Sequence, residues 1–358
     1  MPQSAILPAD PSQVAKAIEL ADAVAKVQGN IFIKELLRSK KKSDSSIRIG
    51  ITKDEIVENL RTAISEGKIT YLDIAAWVTE VEGWGRQHAY LLNVTPQLAG
   101  DLMWGSDKAV FERLKDRHLE ATWKNSPGLS FPEEFTLALI DFANEKFECI
   151  WRRGVNLRQR DKSKDKYDEP IEGDIYDFHA FRHVPTRSVM RFEMYPSRKE
   201  AVLFVQIPLG TEHTAAVSSA YKVLDKLFKR NGLVAIDISK AIKTLDKAEL
   251  DATGEKESFI KAQATKFSTD GANIEFSADP AIDWKSVTAV RRVRQALKDD
   301  NFDGNSAKFT ISLRDNKGLK RDLTMSLTGF DKRVYLHAQM SASEVMETLA
   351  VVRNYAAA

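Results

Sequence analysis

The sequence predicts an α+β protein, an N-terminal α-helical bundle followed by mainly antiparallel α+β units. Three observations carry this. Residues 1–120 place apolar side chains at helical spacing behind side-chain capping signals. Residues 121–245 hold apolar runs of strand length divided by turn-forming clusters, with one long amphipathic helix among them. Residues 259–358 read as hairpin, helix, hairpin, strand and helix, set off by a charged, weakly patterned stretch at 246–258 that reads as a linker. Strands grouped together, rather than alternating one by one with helices, argue for antiparallel pairing.

In the first unit, Val14, Ala17, Ile18, Ala21, Val24 and Ala25 line one face of a helix over 11–28, and Ile31, Ile33, Leu36 and Leu37 suggest a shorter one. Arg38 to Ser46 then reads as a basic and Ser-rich loop, with Lys40-Lys41-Lys42 a solvated turn. Thr52-Lys53-Asp54-Glu55 is a capping box: the Thr52 hydroxyl accepts from the third amide while Glu55 reaches back. Val57, Leu60 and Ile64 follow until Gly67. Thr70 to Asp73 starts the next helix, with Ile74, Trp77, Val78 and Val81 at i, i+3, i+4 and i+7. Ala89 to Val94 is expected to be helical, as is Asp107 to Leu119 with Val110, Phe111 and Leu114 inward.

In the second unit, Phe135 to Phe142 and Phe147 to Val155 read as strands around the turn Ala143-Asn144-Glu145-Lys146, with the apolar run breaking at Gly154. Ile175 to Phe178, Val189 to Tyr195 and Ala201 to Ile207 are further strands. A helix over 214–230 buries Val217, Ala220, Val223, Leu224, Leu227 and Phe228. Val234 to Ile236 reads as an edge strand, and a short helix covers 239–245. In the third unit, Phe259 to Phe267 and Asn273 to Phe276 make a hairpin, and 284–298 a helix. Phe309 to Leu313 and Leu319 to Leu327 pair across Asp315-Asn316-Lys317-Gly318, followed by a strand at Val334 to Gln339. Ser341 to Glu344 caps a last helix with Val345, Leu349 and Val352 inward.

Composition narrows the function classes. The 358 residues are 43% hydrophobic and 29% charged, which suits a folded globular chain rather than a disordered one. A single cysteine, Cys149, excludes an internal disulfide framework, reads as a buried small hydrophobe, and points to a reducing, intracellular compartment. Met1-Pro2-Gln3-Ser4 carries neither a basic nor an apolar leader region, so no secretory signal is expected. Apolar runs are strand-sized, far short of the ~20 residues that span a bilayer, so no membrane partner is expected.

The net charge is only +2, yet Trp151 to Lys166 alone holds seven basic residues and two acidic ones. Arg152, Arg153, Arg158, Arg160, Lys162 and Lys164 are therefore the first candidates for phosphate contacts, since each neutralised phosphate releases condensed counterions. The 214–230 helix adds a stripe with Lys222 and Lys226, and the 284–298 helix adds Arg291 and Arg294. The expectation is that these features converge into one basic groove between the helical and middle units, gripping duplex DNA without reading its sequence.

Signals for chemistry are few. His179 and His183 stand four apart in an extended context, too far apart for easy chelation. Asp283-Trp284-Lys285, with Asp279 and Glu275 upstream, is the nearest match to a metal-dependent nuclease, but Asp283 sits where a helix N-cap belongs. No phosphate-cradling Gly-Lys-Ser/Thr loop, dinucleotide fingerprint or nucleophile elbow occurs, so no cofactor is expected and a non-catalytic role is favoured.

The segment Ile51 to Leu60, continuing to Ile69-Thr70-Tyr71-Leu72-Asp73-Ile74-Ala75-Ala76-Trp77 and His88-Ala89-Tyr90, resembles in spacing the helical bundle of the inner-kinetochore family of centromere protein N. The later succession of hairpin, strand pair, long helix and C-terminal α/β unit is also similar to that family. The resemblance covers most of the chain as an order of elements, with no individual binding residue matched. It implies a non-enzymatic protein that grips duplex DNA in a basic groove and docks a protein partner through its far end. Two alternatives from other classes are a protein–protein adaptor that ignores nucleic acid and a divergent nuclease.

Overall fold

The computed structural model describes residues 10–25, 29–125, 130–206, 213–252, 260–269, 272–277, 287–299, 303–312, 321–337 and 340–358. It is an α+β fold, with helices on both faces of a large antiparallel sheet.

Four helices open the chain: α1 (Pro11–Ala25), α2 (Asn30–Lys41), α3 (Lys53–Ser65) and α4 (Tyr71–Val81). The capping boxes at Thr52 and Thr70 both form, with Glu55 and Asp73 returning to the cap amides. Leu20, Leu37, Ile56, Leu60, Ile74 and Val78 then interlock as one apolar layer. Lys40 and Lys41 belong to the last turn of α2 rather than to a loop, and Lys40 pairs with Asp73 on α4. A cation there also suits the negative end of the helix dipole.

The expected helix at 89–94 is instead strand β1 (Gln87–Val94), and this correction reorganises the whole chain. A central strand buried on both faces reads as an almost continuous apolar run, which periodicity alone cannot separate from a buried helix. After β1 come α5 (Pro96–Ala99), α6 (Asp107–Asp116), β2 (Thr136–Ala143), β3 (Lys146–Arg160), β4 (Lys166–Ile171), β5 (Asp174–Phe178), β6 (Phe181–Tyr195) and β7 (Glu200–Gln206). Next are α7 (His213–Leu227), β8 (Leu233–Ala235) and α8 (Ile238–Asp251). The last unit is β9 (Ile260–Thr269), β10 (Ala272–Ser277), α9 (Thr288–Asp299), β11 (Asp303–Ile311), β12 (Leu323–Thr328), β13 (Arg333–Leu336) and α10 (Ala342–Ala357).

Strand β1 pairs with β7 along one edge, from Gln87↔Gln206 to Asn93↔Glu200. Its other edge is shared by β13, through Gln87↔Leu336, and β8, through Val94↔Leu233. One hydrogen-bonded ladder therefore runs β10-β9-β11-β12-β13-β1-β7-β6-β3-β2, joining the C-terminal and middle units through a strand from the first. The stretch expected as a linker is helical up to Asp251, with Asp246, Glu249 and Leu250 buried, and 253–258 lie outside the described residues. Asp283, Lys285 and the turn Asp315 to Gly318 also lie outside them.

The strand alternation assigns the two cores. Val202 and Phe204 of β7 point into the layer built by α1–α4, α8 and α10, whereas Ala201, Leu203 and Val205 point into the opposite layer with α6 and α7. Cys149 is buried in that second layer, where burial pushes its thiol pKa well up, so it packs as a small apolar side chain.

Candidate nucleic-acid interface

The basic run lies on a two-stranded ribbon. Strand β3 does not break at Gly154: it continues to Arg160, paired with β6 from Phe147↔Met194 to Arg160↔Phe181. Neighbours on either side stop earlier, β2 at Thr136↔Arg152 and β7 at Met190↔Val205. Gly154 matters where the ribbon leaves the body, because a Cβ there would stand 2.8 Å from the Phe131 carbonyl oxygen. Its amide donates to the Pro132 carbonyl at 2.7 Å.

Alternation sorts the predicted residues by face and by depth. Arg152, Arg158 and Arg160 share one face, joined across the ladder by His183 and Phe181, and Arg153 points the other way. Arg152 sits too near the body to meet a ligand. It is 3% exposed, and its Nε is 3.1 Å from Oε2 of Glu82 at the end of α4. Its assignment as a phosphate contact is thereby corrected. Arg153 is half-buried and donates to the Glu133 carbonyl at 2.9 Å. Arg158 is exposed, its guanidinium lying 3.8 Å from the centre of the Phe181 ring. Arg160 donates to Asp165 at 2.8 Å and approaches Nδ1 of His179 at 2.7 Å, so much of its charge is matched locally. The Arg160 bond, with the Ala180 amide, holds the Asp165 carboxyl below the usual carboxylate range. Lys162 and Lys164 are exposed in a single 3-10 turn beyond the ribbon.

The other predicted cations do not join this site. Lys222 and Lys226 are exposed on α7, whose apolar side belongs to the second core layer. Arg291 is exposed on α9, but α9 packs through Val290 and Leu297 on the first layer, across the sheet from α7. Arg294 is 1% exposed and bridges Asp246 at 2.7 Å and Glu249 at 2.6 Å on α8, so it pins one helix to another and cannot meet a phosphate. The single groove expected from the charge pattern does not form, because α7 and α9 face opposite sides and Arg152 and Arg294 are inside.

Two features of the ribbon escaped the charge pattern. Arg182 is exposed on the face opposite Arg158, one step along β6 from the cross-strand partner His183. Beyond the 3-10 turn, the β4–β5 hairpin carries Asp168, Glu169, Glu172, Asp174 and Asp177 against one cation, Lys166. It also exposes Tyr167, Ile171, Ile175, Tyr176 and Phe178. Both signals stand in the sequence directly after Lys166; extending the charge count a further twelve positions reveals the reversal of sign. The arm is thus basic where it leaves the body and acidic and apolar at its tip.

Among the described residues no group of His, Cys, Asp and Glu could hold a metal ion, and no helix is long and apolar enough to cross a membrane. His179 and His183 do not form a pair: the first approaches Arg160, and the second lies across from Arg158. No protein-family model matches the chain, and no curated protein matches it.

Proposed function

We propose that the chain is a non-catalytic protein that binds nucleic acid, duplex DNA foremost, through the distal part of the β3–β6 ribbon and the 3-10 turn that follows it. The observation that carries this reading is the stretch of ribbon beyond its described neighbour strands, with Arg158, Lys162, Lys164 and Arg182 exposed near Asp161 and the other acid of the run, Asp165, engaged by Arg160. A two-stranded β-ribbon fits the major groove of B-DNA, about 12 Å wide. Arg and Lys side chains that reach the flanking phosphates position the duplex and carry little sequence information. The resemblance in order of elements to the centromere protein N family points to the same class of activity, although the contact element here is an arm rather than a groove.

The test is a mobility shift on a short duplex at two salt concentrations, comparing the parent with Arg158→Glu/Lys162→Glu/Lys164→Glu. Retention is expected for the parent at low salt and to be lost in the variant. Equal retention by both proteins would remove this reading. A second reading, an adaptor that recruits protein without nucleic acid, is favoured by the acidic and apolar tip, which a phosphate backbone would repel.

A further inference from the structure

We infer that the β4–β5 tip of one copy docks into a groove beside the C-terminal ends of α6 and α7 on a second copy. The contact would be head-to-tail and would build open chains or closed rings. It rests on the tip and the groove, and stands whether or not the ribbon binds nucleic acid.

The tip needs a partner on physical grounds. Of the large apolar side chains exposed among the described residues, Tyr167, Ile171, Ile175, Tyr176, Phe178 and Phe181 all stand on the arm, Ile175 at 72% and Tyr176 at 44%. Tyr176 and Phe178 lie along one face, with ring centres 6.3 Å apart, and Ile175 projects from the other. A hairpin of two strands is marginally stable alone in water and gains by packing a hydrophobic face. Its carboxylates select for a basic partner surface.

A groove among the described residues offers such a surface. It measures about 330 Å³ and opens between the 95–101 segment and the ends of α6 and α7. The largely buried Leu98 and Phe228 form its floor, and Arg113, Arg117, Lys226 and Lys229 surround it against Asp101 and Asp225. Asp101 is engaged by Arg113 at 3.4 Å and by the Met103 amide at 2.9 Å, which leaves the groove with an excess of positive charge. Opposite net charge on tip and groove makes the two surfaces complementary.

Topology makes the contact intermolecular. The arm leaves from the Phe181 end of β6. The groove adjoins the other end of the sheet, where Tyr195 pairs with Glu200 and the Val94 amide donates to Lys199. The fifteen residues of β6 separate the two by about 50 Å at roughly 3.3 Å per residue. The tip therefore cannot fold back into the groove of its own chain. A contact between two different patches does not close on itself as a two-fold dimer does.

The test is light scattering and sedimentation of the full chain over a range of concentrations at ~50 mM and ~500 mM salt, which brackets strong and weak charge screening. The expected result is a mass that rises with concentration past two copies of the 40.2 kDa chain at low salt and falls back at high salt. Ile175→Asp/Tyr176→Asp removes the tip, and Arg117→Glu/Lys226→Glu removes the groove; each is expected to stay at one chain mass. Mixing the two variants leaves one intact tip and one intact groove, so the mixture is expected to stop at a 1:1 dimer. That outcome also shows that both variants are folded. A parent that stays monomeric throughout, variants that keep the parent's mass, or a mixture without the dimer would each overturn the inference.

Discussion

The carboxylate of Glu82, at the end of α4, holds the guanidinium of Arg187 on β6 at 2.6 Å. Its second oxygen takes Arg152 of β3 at 3.1 Å, so one acid joins the helical layer to both strands at the root of the arm. All three side chains are buried. Removing the acid leaves two guanidiniums inside with their compensation broken. Glu82→Ala is expected to destabilise the fold by about 3–5 kcal/mol, the range for breaking a buried ion pair from one side. Urea unfolding of parent and variant measures it directly.

The burial of Arg152 separates two kinds of basic residue that look alike in the sequence. Each phosphate contact on duplex DNA contributes roughly 0.9 to the log–log salt slope. Neutralising Arg158, Lys162 and Lys164 together as Gln is expected to lower that slope by up to about 3, with little effect on stability. Arg152→Met is expected to do the reverse, leaving the slope unchanged and lowering the midpoint of unfolding. Salt titration of binding alongside denaturant melts checks both halves.

This contrast shows what could be read from the chain and what could not. Capping boxes at Thr52, Thr70 and Ser341 are local chemistry within four residues, and all three form. The fold class followed from such local signals and from strand-length runs. Strand β1 was hidden because burial on both faces erases the alternation that marks a strand. The fate of Arg152 and Arg294 depended on acids 70 and 48 residues away in the chain, and a charge count along the sequence cannot see such pairings. The acidic tip, by contrast, was fully visible beside the basic run.

Arg294 supplies a second stability test, away from the arm. Its guanidinium is held between Asp246 and Glu249 and fastens α9 to α8. Arg294→Ala would leave two buried carboxylates facing each other. It is expected to cost about 3–5 kcal/mol, whereas Arg291→Ala, on the exposed side of the same helix, is expected to change stability by less than about 0.5 kcal/mol. Thermal melts of the two variants give the comparison.

At the root of the arm, Gly154 keeps β3 continuous where the 131–132 segment crosses it. A methyl group there would meet the backbone of Phe131, which is tied down by the Gly154 amide bond to Pro132 and cannot easily retreat. Gly154→Ala is expected to destabilise by about 1–3 kcal/mol, as overpacking does. It should also raise amide exchange in 153–160 more than in β7. Hydrogen exchange followed by mass spectrometry resolves the two segments.

His337 follows β13 with its Nε2 2.6 Å from the Ser326 hydroxyl and its ring 4.2 Å from that of Tyr335. Burial, then the charges of Lys308 and Arg86, hold its pKa below the ordinary histidine value. In the unfolded chain the same ring takes up a proton near pH 6.5. Between that value and the depressed folded one, the unfolded state binds more protons, so stability rises with pH across the window and is lost as pH falls through it. His337→Gln removes this contribution while keeping a polar partner for Ser326. The melting temperature of the parent is therefore expected to drop more than that of the variant between pH 7.5 and pH 5.5, both pH values being set roughly one unit either side of the free histidine range. Equal drops in the two proteins would show that His337 titrates alike in the folded and unfolded chain.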